Sequence, residues 1–572
     1  MVSTTNVIVA PAPPKPPRRK RHPGRPMVSW LDPLMLARAG VQAAISSTIG
    51  KQADRRLLDA LAAPKVEPSD FSVDDEGKPR EELWLDYVSD MGDGWDSTYA
   101  VAQTVACPTL TLRDETGATH ETRGGELLVL GGDEVYPTAS VKAYEERTLE
   151  PWRAAMSRQR PPPHVFAVPG NHDWYDGLVS FTRLFCQGRT PAGWQTHQRR
   201  SYFAVKLPHG WWLIGTDMQL ESDIDEPQVS YFQEIARQMR PEDRVILCLA
   251  EPAWLLAQVR PLDGRSYLEN NLTFLEDEVF GKKVSVFLAG DLHHYRRHAD
   301  DDGRQKIIAG GGGAFLHPTH VPRKEQALQD GFTARKSFPE ARDSRRLSWR
   351  NLGLVMSNPR FGVLTGLLYM LLAWALAVNI GSANVPKALG LVLSTALSSP
   401  GIVLLSTFVI LGLIAFADTR YGRWRWLVGL LHGLVHMTAA FLIAWGVAHL
   451  MGSELALSFR NPVRDMLSAV LIFAGGFLAG PTIMGLYLLI SLNVFSAHPN
   501  EAFSSLAIPD WKNFIRMRIA PDGRLWIYPI GLRRVPRAWK PGETARDPEW
   551  VADPKDTRAT PPSLIEPPLV IP

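Results

Sequence analysis

At 572 residues, 45% of them hydrophobic, the chain is long enough for two or three domains. Its 62 basic and 59 acidic residues leave a formal net charge of +3, which argues against a dedicated nucleic-acid binder, so no nucleic-acid partner is expected. The three cysteines, Cys107, Cys186 and Cys248, are widely spaced, odd in number and without a C-x-x-C pair. That argues against a disulfide framework and suits a reducing compartment.

Residues 1–26 are proline-rich and basic, with the run Arg18-Arg19-Lys20-Arg21, and read as a disordered tail able to touch anionic lipid headgroups. No apolar h-region follows, because Asp32 and Arg38 interrupt the next stretch, so no secretory signal is expected. Residues 27–82 read as a helical N-terminal segment with a loose helical period through Leu31, Leu34, Val41 and Ile45. It is expected to lie on a membrane or to pack on the domain that follows.

Between 83 and 330 short apolar runs alternate with polar clusters. Residues 83–89 read as a strand ending at Asp90-Met91-Gly92-Asp93-Gly94. Residues 126–130 precede Gly131-Gly132-Asp133-Glu134-Val135-Tyr136, and 165–168 precede Gly170-Asn171-His172-Asp173. Residues 211–215 lead to Asp217, 244–249 to Ala250-Glu251, and 284–289 to Gly290-Asp291-Leu292-His293. Gly310–Gly313 then runs into a segment holding His317 and His320. Turns at strand ends are exposed while the strands stay rigid, so Asp, Asn and His clusters at successive strand ends suggest one metal site built from distant segments.

Residues 331–360 form a basic linker. Four long runs almost free of charge follow, at 361–380, 388–417, 426–451 and 466–497. Each reaches the ~20 residues that span a bilayer as a helix. Ser398-Ser399-Pro400-Gly401 marks a break in the second. Arg342, Arg345, Arg346, Arg350 and Arg360 precede the first run, and Arg420, Arg423 and Arg425 follow the second, whereas only Lys387 lies between them. The positive-inside rule then puts the 83–330 domain and the C-terminus in the cytoplasm of a bacterial-type plasma membrane. Within the third run His432 and His436 lie one helical turn apart; ionisable residues there are functional candidates, and neutral histidines bonding across the bundle are the plainer reading. Residues 513–519 and 524–530 alternate around Pro521-Asp522-Gly523 as a β-hairpin of a small β-rich module, 498–540, which needs a further sheet to pack on. Residues 541–572 read as an extended tail.

In chain order the polar clusters read D-x-G, G-D-x-x-Y, G-N-H-D and G-D-x-H. This resembles the calcineurin-like metallophosphoesterase superfamily over about 83–320, and the first two motifs look most like its purple-acid-phosphatase branch. The resemblance implies an α/β fold: a two-sheet metallophosphoesterase sandwich, here followed by an all-α transmembrane bundle and the β-rich module. It implies two metal ions. Asp90, Asp133, Tyr136 and His293 would hold the first, with Asp133 bridging to a second that Asn171 also ligates. Two family histidines are absent: Asp291 stands at one, and Ala250 stands at the other with Glu251 beside it. Oxygen donors there favour Mn, Mg or ferrous iron over Zn, and a tyrosinate at the first site favours ferric iron. His172 would protonate the leaving group with Asp173 orienting its ring, and Gly311, Gly312, His317 and His320 would approach the bound phosphate.

The implied reaction is hydrolysis of a phosphate ester. The membrane domain suits an amphiphilic substrate such as a phospholipid, with membrane lipids as neighbours, though a soluble nucleotide or phosphoprotein is also compatible. The rival reading makes the bundle a transporter or signalling module with a regulatory or inactive phosphoesterase-like domain. Asp93 and Asp96 read as turn caps or as support for the ligands, and Asp217 as a cap.

Overall fold

The computed structural model describes residues 24–38, 40–41, 67–156, 161–218, 223–259, 270–321, 327–328, 330–380, 384–455, 461–544 and 547–572. The basic run at 18–21 and residues 42–66 of the helical segment expected over 27–82 lie outside them, while its end is not helical: Ser69–Asp70 is a strand paired with Val205 and Lys206.

Two large sheets organise the chain outside its long apolar helices. One runs Ser69–Asp70, Phe203–Lys206, Trp211–Gly215, Arg244–Leu249, Val284–Ala289, Gln305–Ala309, Tyr295–Ala299, Thr333–Phe338. The other runs Ser563–Leu564, Leu525–Leu532, Lys512–Ile519, Leu83–Val88, Leu127–Leu130, His164–Ala167, Gln195–Thr196, with Leu569–Ile571 also paired to Leu525–Leu532. Leu83–Val88, Leu127–Leu130 and His164–Ala167 are parallel. In the other sheet Trp211–Gly215, Arg244–Leu249, Val284–Ala289 and Gln305–Ala309 are parallel as well. Strands covered on both faces read as continuous apolar runs, as LLVL and VSVFLA do here. Leu85, Tyr87, Val129 and Phe166 of one sheet share a buried cluster with Leu213, Ile246, Val286 and Ile307 of the other, so the sheets pack face to face.

The C-terminal hairpin is present as Lys512–Ile519 and Leu525–Leu532, but it is no separate module. Lys512–Ile519 pairs antiparallel with Leu83–Val88 and extends the central sheet. The join is fixed by a fully buried ion pair: Arg516 Nε meets Asp86 Oδ1 at 2.7 Å and Nη2 meets Oδ2 at 3.2 Å. Arg516 also donates to the Val105 carbonyl and Asp86 accepts from Gly125 N–H, so both charges are satisfied. Removing one partner of such a pair costs about 3–5 kcal/mol. The expected extended tail is also corrected, since Trp550, Leu564 and Ile571 are buried and two of its segments pair in the sheet. Likewise the basic linker holds a strand, Thr333–Phe338, and a helix, Ala341–Ser348.

The apolar region is helical: Pro359–Ile380, Val385–Ser398, Pro400–Phe416, Arg425–His449 and Pro462–Phe495. The break expected at 398–401 falls at Ser399, with Pro400 opening the next helix, where its missing N–H leaves no bond unmade. Two helices, Arg420–Glu454 and Pro462–Phe495, are long and apolar enough to cross a membrane, and shorter apolar stretches lie at Pro359–Trp374 and Pro400–Phe416. Small residues let them close: Gly362 and Gly366 face Phe477 and Phe473, while Gly476 and Gly480 face Tyr369 and Thr365. Leu371, Leu404, Phe408 and Leu478 point outward, each more than half exposed.

The helices sit directly on the sheet-bearing part. Leu316 and Val321 share a buried cluster with Leu354, Met484, Leu488 and Phe503. Asn351 Nδ2 donates to the Ala502 carbonyl at 3.0 Å, and Leu316 N–H to that of Ile508 at 3.1 Å.

Candidate metal centre

The parallel strands deliver Asp90, Asp133 and Asp291 to one edge, and all three take a left-handed backbone, with φ of 59°, 53° and 65°. Aspartate tolerates that region better than most residues, yet each such position costs on the order of 1–3 kcal/mol, and the strain clusters at functional sites. The turns interlock: Asp90 N–H donates to the Gly132 carbonyl at 2.9 Å and Met91 N–H to that of Asp133 at 3.0 Å.

The Tyr136 hydroxyl is the meeting point. It lies 3.0 Å from Asp90 Oδ1, 3.0 Å from Asp133 Oδ2 and 2.9 Å from His293 Nε2, and all four side chains are buried. His293 Nδ1 lies 2.7 Å from the Phe315 carbonyl, which can only accept, so Nδ1 carries the proton and Nε2 presents its lone pair. Three acceptors therefore face one phenolic proton. Burial and the charge of Asp133 push the Asp90 carboxyl well above its ordinary value. Burial, with Asp173 and Glu251 nearby, pushes Asp133 up to about 8. Burial drives His293 well below the ordinary imidazole value, with His317 and Lys512 adding to it.

No three His, Cys, Asp or Glu side chains among the described residues are grouped as a metal-holding set. The convergence here runs through a tyrosine, a ligand type outside that set. By its chemistry the group fits a cation: two buried carboxyls that hold their protons when nothing offers them positive charge, beside a phenol and an imidazole whose tautomer turns its lone pair toward them.

Around this core, Asp291 N–H donates to both oxygens of Asp90, at 3.1 and 3.0 Å. Ala250 is packed against Gly132, and Glu251, half-buried, raises Asp133 by its charge. Asn171 lies at the rim, its Nδ2 3.4 Å from the Tyr175 hydroxyl. His172 N–H donates to Asp133 Oδ1 at 2.9 Å, while its Nδ1 donates to the Pro137 carbonyl at 2.6 Å, leaving Nε2 as the free ring nitrogen.

Three expectations change. Asp173 does not hold the His172 ring; it takes the Tyr144 hydroxyl and the N–H groups of Gly170 and Glu134, and so shapes the loop backbone. Gly311 and Gly312 are no open cradle: a Cβ at Gly311 would strike Asn513, and one at Gly312 the Ser89 carbonyl, because the glycines let this loop pass between strand ends. His320 turns away to Ser344 Oγ, 2.8 Å, and pins the loop to the helix Ala341–Ser348. His317 does reach the site, stacked on His293 at 4.0 Å between ring centroids. Asp93 accepts from Val28 and Phe315 N–H, Asp96 from Trp539, and Asp217 from Trp174 and Ser201, all as structural ties.

Two contributors escaped the sequence reading. Lys512 is wholly buried, its Nζ donates to the Ala314 carbonyl, and burial pushes it down to about 8. Its charge is felt by Asp90 and His293, although it lies 422 positions beyond the first. Trp30, from the N-terminal segment, lies against Tyr136, His172 and Phe315 at 6.2, 5.9 and 5.5 Å between ring centroids. In the helices, His436 Nε2 and His432 Nε2 are 3.2 Å apart and the Tyr369 hydroxyl meets His436 Nδ1 at 2.8 Å, a polar contact across the bundle.

No protein-family model and no curated protein matches the chain. Similar solved structures include GAP50, the anchor in the inner membrane complex of Plasmodium, at 14% identity over 41% of this chain and 74% of that one, TM-score 0.28. Purple acid phosphatase PPD1 from yellow lupin (Lupinus luteus) seeds is 12% identical over 41% of this chain and 45% of that one, TM-score 0.28. PhoD is 9% identical over 41% of this chain and 58% of that one, TM-score 0.27. The chain thus spans about half the length of the latter two, and all three likenesses are distant.

Proposed function

We propose that this chain is a membrane-anchored, metal-dependent phosphoesterase acting at the cytoplasmic face on an amphiphilic phosphate ester. The observation that carries the reading is the buried convergence of Asp90, Asp133 and His293 on the Tyr136 hydroxyl. Asp90, Asp133, Tyr136 and His293 would hold one cation, and Asp133 with Asn171, Asp291 and Glu251 a second. Iron or manganese suits this donor set, with magnesium the alternative at the oxygen-only position and zinc less suited to it. When bound, such a pair supplies positive charge to a phosphoryl oxygen and an acidified water.

The chain's own residues do the rest. Pro137 holds the His172 ring by Nδ1, so Nε2 is the nitrogen able to carry a proton to the leaving oxygen. Burial lowers the ring's proton affinity, and the negative charge of a bound phosphate restores it. Asp291 N–H fixes the Asp90 carboxylate, and the Phe315 carbonyl fixes the His293 ring. The membrane assignment draws on two long apolar helices, the outward leucines and the loop 314–321 seated on the bundle.

The test is metal content of the full chain purified in detergent, with hydrolysis of generic phosphomonoesters and phosphodiesters. Bound iron or manganese with turnover supports the reading; absence of both metal and turnover overturns it.

A further inference from the structure

The N-terminal segment crosses the site as a strap held at both ends. On the catalytic side Trp95 N–H donates to the Arg25 carbonyl at 3.0 Å, Arg25 pairs with Glu146 at 2.6 Å, and Val28 N–H donates to Asp93 Oδ1 at 2.8 Å. On the bundle side Leu31 is buried beside Leu316, Met484 and Leu488, and Asp32 Oδ2 meets Arg360 Nη1 at 2.5 Å, at the start of the helix Pro359–Ile380. Asp32 Oδ1 also caps Leu34 and Met35, opening a short turn of helix on which Leu34 and Leu36 stay exposed.

Between the two anchors stands Trp30. Its indole closes the side of the site that holds His172, and with Phe315 it makes that wall apolar. A ring placed only for packing normally finds a partner for its N–H. The Trp30 Nε1 is buried without a hydrogen-bond partner among the described residues. Trp30 is itself only partly buried, so the face of its indole, rather than Nε1, is what a leaving group beside His172 would meet, and a chain attached to that group would lie along it toward Leu31 and the bundle.

We propose that Trp30 is a specificity-determining residue of the phosphoesterase proposed above, on which this inference rests: its indole is the wall for the leaving group and selects a membrane-borne, acyl-chain-bearing group over a small polar one. The strap explains how a residue 60 positions before Asp90 holds this place. It also joins the wall to the helix that enters the bilayer.

Phosphatidic acid and glycerol 3-phosphate share the same scissile bond and differ in their acyl chains, so they isolate the wall. The full chain in lipid nanodiscs is assayed on both, as wild type, Trp30→Phe and Trp30→Ala. Trp30→Ala is expected to lower kcat/KM for phosphatidic acid by roughly tenfold or more, mostly through KM, the scale on which an apolar pocket discriminates. Glycerol 3-phosphate should change by less than about threefold, and Trp30→Phe should retain most of the preference. Equal losses on both substrates, or no loss on either, overturn the proposal. A second readout needs no turnover: the thiol of Trp30→Cys should be shielded from a charged maleimide by phosphatidic acid but not by glycerol 3-phosphate. Unchanged labelling overturns the contact. Shielding in a protein that hydrolyses no phosphoester would keep the contact and discard the phosphoesterase reading.

Discussion

Asp133→Asn separates the two demands placed on the centre, because the same buried charge that suits a cation should weaken the fold without one. With no cation bound, burial and the charge of Asp173 hold the Asp133 carboxyl at about 8 against an ordinary 3.8. A carboxyl raised on folding favours the folded state fully below its unfolded value, and that contribution is lost as pH climbs through the folded one. At 1.36 kcal/mol per unit, about 2 kcal/mol is lost between pH 6 and pH 8, and on the order of 5 kcal/mol over the whole range. Asparagine cannot ionise, yet its carbonyl still accepts from His172 N–H and its amide can meet the Tyr136 hydroxyl. Chelator-treated wild type should therefore lose about 2 °C of melting temperature from pH 6 to pH 8, at about 1 °C per kcal/mol for a cooperative unit of this size, while chelator-treated Asp133→Asn loses much less. Added Mn should reverse the order, stabilising wild type by about 2.7 kcal/mol at 100 times its Kd and leaving the variant unmoved. Scanning fluorimetry in detergent reads both effects. Parallel pH curves for the two proteins, or equal stabilisation by Mn, would refute the placement of Asp133 at the centre.

His172→Ala should keep bound metal yet slow hydrolysis of an alkyl phosphate by on the order of 10²–10⁴, and that of an aryl phosphate by less, because a good leaving group needs little protonation. Equal losses on the two esters would make His172 structural. Asp291→Ala and Glu251→Ala should each weaken one metal equivalent, read by elemental analysis after dialysis; full occupancy in Glu251→Ala would leave that position to water. Tyr136→Phe should bleach any visible absorption that the protein acquires when purified with iron in air, since the phenol, pushed well above its ordinary value by burial and by Asp133 and Asp90, ionises only against a highly charged cation. A colourless wild type with full iron content would remove tyrosinate from the ligand set. Reporter fusions after Ser344 and Asp553 should both report cytoplasm and one after Ser453 the outside; ends in opposite compartments would overturn an even number of spans.

The residues legible in the sequence are those whose spacing is local. Asp90, Asp133, Asn171 and Asp291 each follow a short apolar run, and parallel strands buried on both faces must carry such runs to their ends. What those runs could not show is which strands lie side by side. Gly311 and Gly312 suggest a loop that opens to a ligand, yet their missing Cβ atoms serve the close passage beside Ser89 and Asn513, a neighbour about 200 positions away. His320 belongs to the same cluster as His317 in sequence, but three residues along an irregular loop carry it to Ser344. The role given to Asp173 failed for a related reason: adjacency to His172 in sequence does not direct a side chain that is already taken by Tyr144 and two backbone N–H groups.

The boundary drawn at 360 misleads most. Cut there, the strand Leu83–Val88, which ends beside Asp90, would lose its antiparallel neighbour Lys512–Ile519 and leave Asp86 buried without Arg516. Lys512, the first residue of that returning strand, holds the Ala314 carbonyl, and the next residue's carbonyl holds His293. The loop 314–321 between them is seated on Met484 and Leu488 of the longest helix. Orientation of the His293 ring therefore depends on a strand that the chain reaches only after passing through the helical bundle. The sheet that bears Asp90 and Asp133, the returning strand and the helices are packed as one unit, in which the candidate centre is not complete until the C-terminal third has folded.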